Sequence, residues 1–306
     1  MIQAHLLARS NGLMTFSAQY HRYVLAEANT HRSLSRSTAS NRAMKAAEVA
    51  KLVQTEPAVP VFFGKEQQGM AAAAEVDDPQ AALQWWLTCV AVNVKLHEAG
   101  IDLGIHKQTV NRVLEPYQFA RTVFTMGDAA FNDFLVLRLA PNAQPEMQAL
   151  ALAMREAKDV DVKPRDDGYH VPFDTDNEQE AHDALKAADL SPYATAFQRS
   201  NVCLTWLDLV TLLRSAGRCA RVSYGGPGQK GLLADVKLAL QCWESSHMSP
   251  FEHQAVPWQG GAQDWTRSNL PESWLQFRKI IETGNLETVR EKLGEKMFGV
   301  KKKEAE

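Results

Sequence analysis

The sequence predicts an α+β protein in which a small sheet is accompanied by several long helices. Residues 1–16 contain two strand-like runs around Asn11-Gly12, a dipeptide that favours tight turns between strands. Most of the chain that follows instead shows apolar residues at helical spacing, interrupted by proline and glycine. Strands gathered near the N-terminus and helices after them favour segregated rather than alternating elements.

The elements follow in order along the chain. Asp78 and Pro79 provide a helix start, and Gly100 provides an end. Charged residues and prolines replace apolar runs over residues 157–200, which predicts an inserted surface segment between residues 1–156 and 201–306 of one domain. Helices are predicted over residues 18–28, 42–55, 81–99, 107–119, 128–139, 143–157, 178–187, 201–216 and 232–243, and from residue 273 onward.

Composition limits the class of protein. The 306 residues are 45% hydrophobic and 23% charged, which is typical of one large or two ordinary globular domains. The net charge of −3 argues against a nucleic-acid or anionic membrane partner. No run reaches the roughly eighteen apolar residues of a membrane span, and no secretory signal pattern is present. Four scattered cysteines without a CxxC pair predict reduced thiols and a cytoplasmic protein.

Residues 29–42 are the most polar stretch between two ordered elements. They contain three arginines, one histidine and six hydroxyl side chains. So many buried donors would each need a partner, so the stretch is predicted to lie outside the core. Arginine forks and hydroxyl groups suit an anion such as phosphate. The alternative is a solvated, turn-rich linker.

Other chemistries find little support. His247 and His253 flank Glu252 without HExxH spacing, so no metal site is predicted. A GxSxG nucleophile elbow is missing. Cys219 is the only cysteine in a polar setting, and the alternation around it favours a strand interior. Residues 225–230 are rich in glycine but fit no phosphate-binding motif, so a hinge is favoured there.

The remaining polar groups resemble the flavin-dependent thymidylate synthases. That family's signature runs Arg-His-Arg, two residues, Ser, one residue, Asn-Glu, one residue, Ser, one residue, Arg. Residues 30–42 follow it with Thr30 in the first arginine position and Ser37-Thr38 in place of Asn-Glu. The matching positions are His31, Arg32, Ser35, Ser40 and Arg42.

Further blocks extend this resemblance. They are Arg112-x-Leu114-x-Pro116, Leu137-Arg138 with Ala143-Gln144-x-Glu146-Met147, Ala220-Arg221-Val222-Ser223, and Ser249-Pro250-Phe251-Glu252-His253. In typical members the last two blocks come first in the chain. The sequence therefore resembles a divergent, circularly permuted member, a rearrangement that proteins tolerate where their termini lie close together.

The resemblance implies an α+β fold like that of the thymidylate synthase complementing proteins, with a mixed or antiparallel sheet flanked by several long helices. It implies transfer of a one-carbon unit from methylenetetrahydrofolate to C5 of dUMP, giving dTMP. The unit is reduced by a hydride from reduced FAD, which NADPH regenerates. Residues 1–156 and 201–306 would form the catalytic domain. A homotetramer with sites between subunits is implied, with no nucleic-acid or membrane partner.

The resemblance also implies roles for individual residues. Arg138 would lie at the pyrimidine, where it is catalytic by stabilising negative charge that develops on the ring. Ser40, Arg42 and Arg112 would bind the nucleotide together with Arg138, and no residue would bind a metal. The cofactor-binding residues would be His31, Arg32, Ser35, Gln144, Ser223 and His253.

Alternatives remain at the level of the substrate. Glu27 stands where the family usually has Gln, and a changed donor and acceptor pattern near the base can switch preference from uracil to cytosine. The alternative substrate is therefore dCMP, with a 5-methyl or 5-hydroxymethyl product. A non-catalytic nucleotide-binding relative is a further alternative, and a nucleic-acid-binding module is disfavoured by the acidic charge.

Overall fold

The computed structural model describes residues 1–174, 178–187, 195–197, 202–222, 230–258, 268–283, 290–291 and 297–298. Its central feature is a four-stranded antiparallel sheet with strand order β1-β2-β4-β3. The strands are β1 (Gln3–Ser10), β2 (Leu13–His21), β3 (Ser35–Thr38) and β4 (Phe119–Gly127). Antiparallel strands joined by a turn at Asn11-Gly12 confirm the predicted hairpin and the α+β class.

Helices cover this sheet, and helices with two short strand pairs make up the described part of the C-terminal half. The short pairs β5 (Thr195–Phe197) with β6 (Val202–Leu204) and β7 (Ala255–Pro257) with β8 (Trp274–Gln276) complete the strands of the described chain. The α-helices are α1 (Leu25–Ala28), α2 (Ala46–Thr55), α3 (Pro79–Asp102), α4 (Lys107–Val110), α5 (Asp128–Arg138), α6 (Pro145–Lys158), α7 (Glu178–Ala187), α8 (Trp206–Val222), α9 (Leu232–Glu244) and α10 (Phe277–Thr283). Short 3₁₀ helices span Arg22–Val24, Asn111–Tyr117 and Ser249–Glu252.

Local signals place several helices correctly. Helix α3 begins at Pro79, and the Asp78 side chain accepts a hydrogen bond from the Ala81 backbone N–H at 2.9 Å. Helices α5, α6 and α9 are likewise confirmed within two residues of the predicted bounds. The prediction for residues 107–119 is correct only in part, because a short α-helix passes into a 3₁₀ helix that contains Pro116.

Two predictions about the sheet are wrong, and one strand is missing from the predicted elements. Residues 18–21 belong to β2, so the helix predicted over residues 18–28 is reduced to a 3₁₀ turn and the four residues of α1. Strand β3 lies inside the polar stretch, where Ser35 and Ser37 are buried and hydrogen-bonded. Strand β4 was not predicted, although it pairs with both β2 and β3.

The C-terminal half corrects three further predictions. Residues 202–204 form a strand, and the helix that follows starts at Trp206 and continues to Val222. Cys219 is therefore buried in helix α8 rather than in a strand. The segment 157–200 is not confined to the surface, since His170 is fully buried and forms an antiparallel bridge with Ala255. Residues 223–229, which include most of the predicted hinge, lie outside the described residues.

Two large apolar cores hold these layers together. One lies between the sheet and helices α5 and α6, where Phe16 and Phe124 meet Phe131 and Met147. The other lies around α8 and α9 and includes Leu213 and Val236. Helix α8 packs on β3 and β4, where Cys219 and Val222 form a smaller apolar cluster with Val123. The C-terminal half is thus fastened directly to β3, which belongs to the polar stretch, and to its neighbour β4.

Two absences apply to the described residues. None of their helices is both long enough and apolar enough to cross a bilayer. Within the same ranges, no three His, Cys, Asp or Glu side chains converge as metal ligands.

Gly217 marks the closest approach of α8 and α9. A Cβ atom at this position would overlap the backbone of Asp235, which cannot move without displacing α9. We expect Gly217→Ala to lower the free energy of unfolding by about 3 kcal/mol, as overpacking does in rigid cores, measured by urea denaturation. Gly100→Ala is the matched control in a helix. Its Cβ would have a Val110 methyl group as its nearest neighbour, at 2.8 Å, and this side chain can shift, so a smaller loss is expected. Equal losses of unfolding free energy in Gly217→Ala and Gly100→Ala would contradict the close packing of α8 against α9.

Candidate active site

Arg138 ends helix α5 and reaches across to the chain around α1. Its Nε donates to His31 Nε2 at 2.8 Å, and its Nη1 donates to Glu27 Oε2 at 3.2 Å. Its Nη2 contacts the Glu27 carbonyl at 3.3 Å and Thr30 Oγ1 at 3.2 Å. The Arg138 side chain is only 13% exposed. A guanidinium held on three sides is fixed in orientation, which electrostatic catalysis requires.

His31 accepts the hydrogen bond that fixes the Arg138 Nε. Its ring meets the Phe134 ring edge-on, with 4.9 Å between centroids. Burial, and then the positive charges of Arg138 and Arg36, lower the pKa of His31 to about 4. The ring is therefore neutral at pH 7, and the contact assigns its proton to Nδ1, which leaves Nε2 as the acceptor.

Arg138 and Glu27 line a cleft of about 1190 Å³. Its walls come from the start of α6, the irregular segment 60–72, and helix α3. Apolar side chains dominate the walls, which suits a flat organic ligand. The apolar lining includes Val61, Phe62, Met70, Trp86, Leu139 and Leu152.

Tyr23 and Glu146 form a polar wall of the same cleft. The buried Glu146 carboxylate accepts from the Val61 backbone N–H at 3.1 Å and hydrogen-bonds the Tyr23 hydroxyl. Burial and this carboxylate raise the pKa of Tyr23, so its hydroxyl stays protonated and donates. Glu146 belongs to a motif recognised in the sequence, but its link to Tyr23 joins positions too far apart to be read from spacing.

A second polar group surrounds Glu115. Its carboxylate accepts from Arg112 at 2.7 Å, from Asn41 at 2.8 Å and from Arg22 at 3.1 Å. Asn41 in turn is held at its carbonyl by the side chain of Asn111 at 2.9 Å. The turn around residues 40–42 is thereby fixed beside Arg112.

Ser40, Arg42 and Arg112 are brought together by this group. The Ser40 hydroxyl accepts from the Arg42 backbone N–H at 3.3 Å. The Arg42 side chain is exposed and has no partner within the described part of the chain, while Arg112 is 54% exposed. Two exposed guanidinium groups beside a hydroxyl can bind an anion. No hydrogen bond among the described residues links this group to Arg138.

The predicted cofactor residues fall into different environments. Arg32 and Gln144 are exposed, and their side chains have no partner among the residues that the structure describes. Gln144 lines the cleft. Ser35 instead is buried and bonded to Asn269 and Gln276. Ser223 lies outside the described residues.

His253 is fully buried inside the protomer. Its Nδ1 contacts Thr125 Oγ1 at 2.9 Å, and its Nε2 contacts Ser37 Oγ at 3.0 Å. Both ring nitrogens are thus engaged, so His253 holds β3 and β4 against the C-terminal segment. The contact also brings the Ser249–His253 block against the polar signature, 216 positions away. This placement agrees with the predicted permutation, which stays a prediction.

Comparison with known proteins identifies the family. Residues 8–161, half of the chain, match the family model described as "Thymidylate synthase complementing protein". The chain therefore belongs to this family, that of the flavin-dependent thymidylate synthases, and the resemblance recognised in the sequence is confirmed. The activity at the level of the family is C5 methylation of a pyrimidine nucleotide.

Solved structures give more distant similarities. One is a UMP/dUMP methylase, PolB from Streptomyces cacaoi, bound with 5-Br dUMP: 21% identity over 48% of this chain and 66% of that chain, with a TM-score of 0.40. A second structure of PolB, bound with 5-Br UMP, has 16% identity over 52% of this chain and 88% of that chain, with a TM-score of 0.41. Similarity at this level transfers neither a substrate nor a site. Among curated proteins, no sequence matches.

Proposed function

We propose that this protein transfers a one-carbon unit from methylenetetrahydrofolate to C5 of dUMP and releases dTMP, with FAD as cofactor and NADPH as reductant. The observation that carries the proposal is the fixed guanidinium of Arg138 on the wall of the cleft, in a member of this family. For C5 to act as the nucleophile, the pyrimidine ring must first gain enolate character, with negative charge on its carbonyl oxygens. A cation that is already oriented stabilises that charge without reorganising during the reaction.

The residues present fit FAD. The cleft is larger than the roughly 300–1,000 Å³ of ordinary ligand sites and has aromatic walls. Of the predicted cofactor residues, Gln144 lines this cleft with a side chain that has no partner in the described part of the chain. Arg32 is exposed and next to His31 in the sequence, and His31 adjoins Arg138 with its Nδ1 on the opposite side of the ring. We propose that these three residues contact FAD, whose chemistry is hydride transfer. Ser35 and His253 would act indirectly, by holding β3, since their polar atoms are already bonded.

We propose that Ser40, Arg42 and Arg112 bind the nucleotide phosphate. No hydrogen bond among the described residues links them to Arg138 within one protomer, and this supports sites completed between subunits of a homo-oligomer. Light scattering coupled to size exclusion tests this arrangement. A catalytically active monomer would contradict it.

Glu27 supports one alternative substrate. An ionised carboxylate only accepts hydrogen bonds, and cytosine carries a donor amino group where uracil carries a carbonyl acceptor. Glu27 lines the cleft beside Arg138. The alternative reaction is therefore 5-methylation or 5-hydroxymethylation of dCMP by the same cofactors.

Mass spectrometry of the products decides between these reactions. The purified protein is supplied with FAD, NADPH and methylenetetrahydrofolate, and with either dUMP or dCMP. Formation of dTMP supports the proposal, and a modified dCMP supports the alternative. No product from either nucleotide, with tight nucleotide binding and no bound flavin, would favour a non-catalytic nucleotide-binding relative.

Arg42→Ala and Arg112→Ala test the phosphate site. Each substitution removes a charged donor, so the Kd for dUMP is expected to rise about 10- to 100-fold. Affinity for deoxyuridine, which lacks the phosphate, should stay unchanged in calorimetric titrations. Lys51→Ala, which removes an exposed cation from α2, is the control. An equal loss for the nucleoside would place these arginines away from the phosphate.

A further inference from the structure

We propose that Glu27 and His31 are positioning residues for Arg138, which fix its guanidinium so that a defined pair of N–H groups remains for the pyrimidine. The inference rests on the proposed function, because it is Arg138 that would act at the ring. It gives His31 a role beyond contact with a cofactor, and it gives Glu27 a role that does not depend on reading the base.

The hydrogen-bond inventory of the guanidinium supports this role. Arginine carries five N–H groups. One is the Nε–H donated to His31, and one on Nη1 is donated to Glu27. The Thr30 hydroxyl lies 2.6 Å from the Glu27 carbonyl, so a single N–H on Nη2 can serve both acceptors. One N–H on each Nη then remains for a ligand in the cleft.

His31 is suited to the task because it is itself fixed. Its ring is wedged against Phe134, and its backbone carbonyl accepts from Arg36 Nη1 at 2.7 Å. The acceptor nitrogen is therefore held from the ring side and from the backbone side. A rotating side chain at this position would let the guanidinium turn about its own axis and spread its free N–H groups over several directions.

Glu27 affects both the orientation of the Arg138 guanidinium and the strength of its positive charge toward the pyrimidine. Its carboxylate and its backbone carbonyl take one N–H from each Nη, which defines the plane of the guanidinium. The carboxylate is 38% exposed, so water screens the pair and the arginine keeps much of its field toward the ring. Preorganised donors of this kind contribute mainly to the rate of reaction rather than to ground-state binding.

The test separates acceptor geometry from folding. His31→Leu removes the acceptor, and we expect kcat to fall about 10- to 100-fold while KM changes less than threefold, as misplacement of a reacting group does. His31→Gln should recover most of kcat, because the Gln carbonyl can reach the position of Nε2. Ser33→Gly loosens the same loop without removing a contact of His31 or Arg138 and serves as the control for disorder. A fall in kcat after Ser33→Gly that equals that of His31→Leu would overturn the positioning role.

A double-mutant cycle shows whether His31 acts through Arg138. Arg138→Lys keeps a charge but has no Nε–H to donate. In that background His31→Leu should produce no further loss of kcat. The same fold loss in both backgrounds would mean that His31 works independently, which overturns the inference. Glu27→Gln, which retains an acceptor, should likewise be milder than Glu27→Ala.

A measurement without turnover keeps the inference distinct from the proposed function. In nitrogen-15 NMR spectra, the Arg138 Nε–H should exchange slowly with water in the wild type and in His31→Gln, and rapidly in His31→Leu. If no pyrimidine nucleotide is converted although this proton is protected, the proposed function fails. If dTMP is formed but His31→Leu leaves the protection unchanged, the positioning role fails and the proposed function stands.

Discussion

Replacing Arg138 with alanine is expected to lower kcat by about 100- to 1,000-fold, the usual effect of removing a preorganised charge-stabilising donor. The guanidinium lies on the cleft wall, and its charge would meet the negative charge that forms on the pyrimidine ring. Bound FAD should remain, because Arg32, Gln144 and His31 are left in place. The measurement combines single-turnover kinetics with the absorbance of flavin that copurifies with the protein.

Stability should change little in this variant. The partner carboxylate of Glu27 is 38% exposed, so the substitution leaves no deeply buried charge without a partner. Arg155→Ala, an exposed arginine on α6, is the matched control and should retain full activity. Loss of FAD with unchanged turnover per bound flavin would show that Arg138 serves the cofactor rather than the pyrimidine.

Much of the fold could be predicted where the sequence signal is local. Asn11-Gly12 sets the hairpin because its backbone preference needs no distant partner. Asp78 caps α3 through an atom three residues away. No such local signal predicts strand β4. Residues 122–127 are all buried, so apolar and polar side chains do not alternate between core and solvent. The strand is defined by β2 and β3 on either side.

The polar stretch shows why burial could not be predicted there. Serines were expected to stay exposed because buried hydroxyls need partners. Ser37 finds its partner in His253, and Ser35 finds one in Asn269, both more than two hundred positions away. The candidate site also depends on contacts between positions far apart in the sequence. Motif positions identified Arg138 and His31 separately, but their contact spans 107 positions and depends on how α5 packs.

A buried network of hydrogen bonds is expected to make the free energy of unfolding depend strongly on pH in acid. His170 contacts Ser10 at 2.9 Å and Thr15 at 2.7 Å, and Thr15 contacts Thr125 at 2.6 Å. Thr125 continues the network to His253. All of these side chains are buried. The network therefore ties the sheet to the segments that carry His170 and His253.

Both ring nitrogens of each histidine contact hydroxyl groups, and neither histidine forms an ion pair within the described part of the protein. Burial lowers the pKa of His170 and of His253 to about 3, and for His170 the nearby His253 acts in the same direction. The unfolded chain takes up protons below about pH 6.5, whereas the folded chain does not. The stabilisation is therefore complete above pH 6.5 and is lost progressively as the pH falls toward 3.

We expect His170 and His253 together to lower the free energy of unfolding by about 4 kcal/mol between pH 7.5 and pH 5, since each contributes up to roughly 1.4 kcal/mol per pH unit. His21 and His31, whose pKa values burial also lowers, add to this fall. Urea denaturation at each pH measures this slope. His170→Gln should reduce the fall over this pH range by about 2 kcal/mol whatever its effect on absolute stability, because one proton uptake is eliminated. His5→Gln, at an exposed position of β1, is the matched control and should leave the slope unchanged. An unaltered slope in His170→Gln would show that other groups govern the acid transition.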